Sequence, residues 1–147
     1  MADLTNMSRK ELLEMFDSFL LKVDFRIEHL KSVTKNDGYN WDFSMESLDA
    51  LEDIILKNNI DKDHDLYDDV ASYIGEVVRA TYGGKWECWL NMKEDSVHYG
   101  MPVITGFNKY DMPLCPYEEL RLFVHRKKKG LISSNINLCV NPPEIDF

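Results

Sequence analysis

Apolar residues recur every three or four positions near the start of the chain: Leu12, Phe16, Leu20, Val23, Ile27 and Leu30. That period marks one face of an α-helix. Ser8 and Glu11 precede it in capping-box spacing, and Met7 and Leu12 stand where a hydrophobic staple would close around the cap. The pattern predicts a helix over residues 8–34, followed by the turn signal Asn36-Asp37-Gly38. A second helix is expected after Ser44, with Phe43 and Leu48 as staple partners. Its stripe is Leu48, Leu51 and Ile55, and it runs out at Asn58-Asn59. A third is expected from about Asp65, where Asp65, Asp68 and Asp69 suit the positive end of a helix dipole. Leu66, Val70, Tyr73, Ile74, Val77 and Val78 form its inner face, and Gly83-Gly84 stops it.

The period then changes. Lys85 to Leu90 alternates roughly as a strand does, a turn is expected around Lys93-Glu94-Asp95, and Met101 to Phe107 reads as a second strand. Pro102 and Gly106 give that second strand an edge or irregular character, and the two can pair as a hairpin. Pro116 opens a further helix, with Glu118 and Glu119 in its first turn, Lys127, Lys128 and Lys129 in its last, and Gly130 at its end. Leu120, Phe123 and Val124 face inward. The tail predicts one short strand near Asn137–Val140, before Asn141-Pro142-Pro143 breaks regular structure. Helices first, then strands, then a helix predicts an α+β fold of about four helices packed on a small antiparallel sheet of two to four strands. Residues 1–147 are expected as a single domain, with 1–84 mainly helical and 85–147 holding the strands plus one helix.

A chain of 147 residues buries roughly 70% of its unfolded surface and needs no metal or disulfide to stay folded. Met1 to Arg9 carry no secretory signal, and no stretch approaches the roughly 20 apolar residues of a membrane helix. Cys88, Cys115 and Cys139 are odd in number, far apart and form no C-x-x-C pair, so free thiols in a reducing cytoplasm are expected. The net charge of −9 sharpens the picture once it is located: residues 42–76 hold eleven acids against Lys57 and Lys62, so this segment alone accounts for −9. Such a field repels nucleic acid and anionic membrane, excluding both as expected partners, and attracts a basic surface.

Local chemistry is thin. Asp61-x-Asp63-x-Asp65 imitates the opening of a calcium loop, but Leu66 stands where the loop needs Gly and Ser72 where it needs Glu. A solvated acidic helix entrance is the first reading, and a protein-binding patch the second. His29, His64, His98 and His125 show no zinc spacing, so no metal is expected. Cys115 stands just before a helix start, where a thiolate would be stabilised, yet packing explains it as well. No P-loop, G-x-S-x-G or G-x-G-x-x-G occurs, and no cofactor or catalytic residue is expected. Arg126 to Lys129 read as dipole partners on a solvated face. Trp86 and Trp89 lie three apart on a strand and point to opposite faces, so one of them is expected to be partly exposed.

Tyr73-Ile74-Gly75-Glu76-Val77-Val78-Arg79, followed by Gly83-Gly84-Lys85-Trp86, resembles a Y-x-G-E-x-x-R … G-G-x-W signature of small bacterial domains. Some of these resemble immunity proteins of polymorphic toxin systems, including partners of toxins with an LXG secretion domain. The likeness covers about residues 65–105. It implies an immunity or antitoxin-like protein that binds and neutralises a cognate toxin, such as a nuclease, whose basic surface would meet the acidic segment. The same motif has a structural account: Gly75 admits a neighbouring element and Glu76 pairs with Arg79. Glu52, Asp53, Asp61, Asp63, Asp65, Asp68 and Asp69 are the expected partner-binding residues. A general protein-binding adaptor is the alternative, and an enzyme with a Cys/His site comes behind it.

Overall fold

The structure is a computed structural model that describes residues 4–92 and 97–142. Met1, the turn expected around Lys93-Glu94-Asp95, and Pro143 lie outside the described residues. Among the described residues five helices and one hairpin succeed one another: α1 (Arg9–Val33), α2 (Ser47–Lys57), α3 (Tyr67–Tyr82), β1 (Lys85–Cys88), β2 (Pro102–Thr105), α4 (Pro116–Arg126) and α5 (Leu131–Val140). Short 3-10 turns occupy Leu4–Asn6 and Lys35–Asp37. The architecture is α+β, with a two-stranded antiparallel sheet.

α1 begins as its cap dictates. Glu11 N donates to Ser8 Oγ at 3.1 Å and Ser8 N donates to Glu11 Oε1 at 3.3 Å. Its buried face is Leu12, Phe19, Val23, Ile27 and Leu30, with Phe16 half-buried. Leu20, expected on that face, is exposed, because at 3.6 residues per turn Phe19 and not Leu20 falls in line with Leu12 and Val23. Ser44 does initiate the second helix, through a 3-10 turn: Ser47 N donates to Ser44 Oγ at 3.2 Å, and α2 proper starts at Ser47.

α3 is the axis of the fold. It is buried from Asp69 through Gly75, and again at Val77 and Val78, and it packs against α1, α4 and β2. Gly83 and Gly84 end it with positive φ, and a Cβ on Gly84 would lie 2.5 Å from the Thr105 carbonyl oxygen, so only glycine passes this close to β2. The hairpin pairs Lys85 with Thr105, Trp86 with Ile104, Glu87 with Val103 and Cys88 with Pro102. Ile104 also bridges Leu114, which ties the far side of β2 to the approach of α4.

The structure corrects three further expectations about the fold. α4 ends at Arg126, with Lys127 at φ 54° as its left-handed cap, so Lys127 to Lys129 lie beyond the helix and not in its last turn. The tail forms no strand at Asn137–Val140; it is α5, whose buried Ile132 and Ile136 are one helical turn apart. Trp86 and Trp89 are both buried, each 9% exposed. Trp86 joins the main core, to which all five helices and both strands contribute, whereas Trp89 leaves the strand and packs with Val103 and Cys115 in a smaller cluster. No helix among the described residues is long and apolar enough to cross a membrane.

Candidate functional site

The signature residues of α3 and the following loop are engaged with one another. The Trp86 ring lies on Gly75, where a Cβ would come within 2.2 Å of it. Trp86 Nε1 donates to Glu76 Oε2 at 3.2 Å, and Arg79 Nη1 donates to both Glu76 oxygens at 3.0 and 2.8 Å. Tyr73 is fully buried: its hydroxyl accepts from Phe43 N at 3.0 Å and lies 2.7 Å from Ser47 Oγ. The motif is a clasp that holds the hairpin and the start of α2 onto α3, and its polar atoms have partners within the chain.

The acidic segment divides. Glu52 is 1% exposed, and its oxygens accept from Gly130 N at 2.8 Å and Ile132 N at 3.3 Å, which satisfies the open first turn of α5. Asp69 is 4% exposed and bonded to His29 Nδ1 at 2.5 Å. Burial pushes the Asp69 carboxyl above its ordinary range, and the His29 bond only partly opposes this. These two carboxylates are internal and present nothing to a partner. Asp53 is exposed but paired with Lys129 Nζ at 2.7 Å, and Asp68 accepts the Tyr117 hydroxyl at 2.6 Å. Asp61, Asp63 and Asp65 are fully at the surface. Their loop is shaped locally, with Asp63 N donating to Asp61 Oδ1 at 3.0 Å and Leu66 N to His64 Nδ1 at 3.0 Å, and it is anchored by buried Ile60 and Leu66.

The outer face of α1 carries Leu21, 86% exposed, and Phe25, 71% exposed. The Phe25 ring stacks on His29 with centroids 6.3 Å apart, and His29 bonds Asp69, so this apolar face meets the entrance of α3. Along the other flank of α1 runs a groove of about 900 Å³, with an aromatic floor that includes Phe16, Phe19, Tyr67 and Tyr117. Sequence reasoning missed both features. The exposure of Phe25 was readable, since it falls opposite Val23 and Ile27 on the helical wheel. The groove was not, because its floor is gathered from three helices.

Cys115 does stand at the N-terminus of α4, but it is buried, and desolvation pushes its thiol up to about 12. Burial likewise raises Cys88, and Cys139 to about 11. Near neutral pH all three are thiols, the poorly nucleophilic form. Among the described residues no three His, Cys, Asp or Glu side chains gather as a metal-binding group. No protein-family model matches the chain, and no curated protein or solved structure matches it significantly.

Proposed function

We propose that this chain is an immunity-type binding protein, which captures a protein toxin with a basic working surface, such as a nuclease, and covers that surface. The observation that carries the proposal is the exposure of Asp61, Asp63 and Asp65 together on the loop before α3, with the exposed Phe25 stacked on His29, which bonds Asp69 near the start of that helix. An aromatic anchor ringed by charge is the usual composition of an energetic contact. Carboxylates on an exposed loop raise the rate of encounter with a cationic partner. The contact set is therefore Asp61, Asp63, Asp65 and Asp68, with Asp53 at its margin, and Glu52 and Asp69 act as internal supports.

The test uses the product of the neighbouring gene, co-expressed with this chain and scored for relief of growth arrest and for binding rate. The variant Asp61→Lys/Asp63→Lys/Asp65→Lys is expected to keep its circular dichroism spectrum and to associate at least about tenfold more slowly at low salt, the gap narrowing as salt is raised. A folded variant that binds and protects as the parent does would overturn the acidic-contact reading.

A further inference from the structure

The two strands of the hairpin are finished differently at their outer edges. Ile104 N donates to the Leu114 carbonyl oxygen at 2.8 Å, and Leu114 N donates back to the Ile104 carbonyl oxygen at 3.0 Å, so β2 is closed by the approach to α4. The same two bonds orient the hairpin. Ile104 turns both its backbone groups away from β1, and Trp86 stands directly opposite it. In an antiparallel ladder this makes Trp86 and Ile104 a non-hydrogen-bonded pair, so Trp86 also turns its N–H and C=O outward, away from β2. The alternation holds further on: Trp89 bonds inward, its N–H donating to the Met101 carbonyl oxygen at 3.0 Å, which leaves Cys88 facing outward with Trp86. Among the described residues no strand pairs with that side of β1, and the Trp86 N–H and C=O have no backbone partner there. β1 borders a cleft of about 1100 Å³, whose lining also includes Arg9, Leu13 and Phe16 of α1.

An open edge is a template for a further strand, and proteins often guard one with a lysine. Lys85 is exposed on this edge, but Glu87 changes its meaning. Strand alternation puts Lys85 and Glu87 on the same face, one on each side of Trp86. No ion pair among the described residues uses Lys85. Glu87 accepts the Thr105 hydroxyl at 2.8 Å, and a neutral donor does not cancel its charge. The two opposite charges are therefore placed symmetrically about an outward-facing residue. If two copies pair antiparallel about a twofold axis at Trp86, each Trp86 exchanges its N–H and C=O with the other, and Lys85 of each copy stands opposite Glu87 of the other. Directly opposed residues of unlike charge stabilise a ladder, and like charges there destabilise it. A register centred on Glu87 would set the two carboxylates against each other. The edge is thus self-complementary both in backbone bonds and in charge, as an isologous interface requires.

We infer that β1 is the edge through which two copies of this chain pair, antiparallel and centred on Trp86, into one four-stranded sheet of order β2-β1-β1-β2. The interface uses none of the residues of the acidic contact, so it stands independently of the toxin reading.

The test follows the full chain by sedimentation equilibrium up to about 1 mM, a range that reaches weak complexes. A reversible dimer is expected, with the Trp86 amide exchanging with solvent more slowly as concentration rises. Lys85→Glu turns both attractive pairs into repulsive ones and is expected to weaken the dimer at least about tenfold. Glu87→Lys is expected to do the same. An equimolar mixture of the two variants is expected to recover a dimer as tight as the parent's, because one copy then supplies two acids and the other two bases. A parent that stays monomeric throughout, whether or not a strand of a toxin pairs at this edge, would overturn the proposal. So would a dimer unchanged by Lys85→Glu, or a mixture that stays monomeric. If Glu87→Lys does not fold, Lys85→Glu and the Trp86 amide decide. Loss of the dimer in the variant, with concentration-dependent protection of that amide in the parent, supports the interface. An amide whose exchange is independent of concentration overturns it.

Discussion

The stretch from Tyr73 to Trp86 and the stretch from Glu52 to Asp69 are both dense in polar residues, and they use them differently. In the first, Tyr73 and Tyr82 reach distant partners but the charged cluster is local: Glu76 is bonded by Arg79 and Trp86, and Arg79 reaches the Gly84 carbonyl oxygen at 3.5 Å. In the second, the partners come from far away: Asp69 meets His29, Asp68 meets Tyr117, and Glu52 meets Gly130 and Ile132. A local clasp can be read from spacing, because helix geometry fixes which side chains are neighbours. A distant one cannot. Seven carboxylates that look alike along the chain therefore become two buried supports, two tethered groups and three free surface charges.

The largest effect should come from the buried support. Glu52→Ala removes both acceptors from the first turn of α5 and a charge that lies 3.7 Å from Lys129 Nζ. A loss of about 3–5 kcal/mol in urea unfolding is expected, with hydrogen-exchange protection of the Gly130 and Ile132 amides falling first. If stability barely moves, Glu52 is no more structural than its exposed neighbours and the division of the acidic segment fails.

The clasp should come next. Gly75→Ala places a methyl group 2.2 Å from the Trp86 ring. The overlap is expected to cost about 2 kcal/mol net of the gain in helix propensity, which is about 1 kcal/mol. An equally stable variant with unchanged Trp86 fluorescence would show that the ring shifts freely and that the motif is not a fitted contact.

The smallest effect concerns Asp69. Its folded-state value is raised by burial above the ordinary 3.8, so the folded chain holds a proton that the unfolded chain releases. Stability from this group is present below about that ordinary value and is lost as pH rises from it through the folded one. Asp69→Asn keeps an acceptor for His29 and removes the titration, so the parent should show the steeper decline over that window, by no more than about 1.4 kcal/mol per pH unit. Parallel stability profiles for the two proteins would mean that the carboxyl is not held above its ordinary range.

Much of the fold was legible. The capping box of α1, the proline opening α4, the glycines ending α3 and the change of period at Lys85 each mark an element by a local rule. α5 was not legible as a helix. Its ten residues run Leu-Ile-Ser-Ser-Asn-Ile-Asn-Leu-Cys-Val, with no side-chain cap of their own, and its start is stabilised by Glu52 from α2. The exposed acids Asp61, Asp63 and Asp65 were legible as charges, but the withdrawal of Glu52 and Asp69 from the surface was not. The groove left no signal, since Phe19, Lys62 and Tyr117 become neighbours only when α1, the loop before α3 and α4 pack.

By itself, then, the sequence determined the elements whose causes lie within a few residues: periodicity, caps, breakers, and the total charge with its concentration between residues 42 and 76. Tertiary structure alone decided which carboxylates face water, that Trp86 and Trp89 are both covered, and that Phe16, Phe19, Tyr67 and Tyr117 line one groove. The physical reason is one of range. Backbone geometry couples neighbours in the chain, whereas burial and ion pairing depend on which surfaces meet, and that is set by the packing of the whole core.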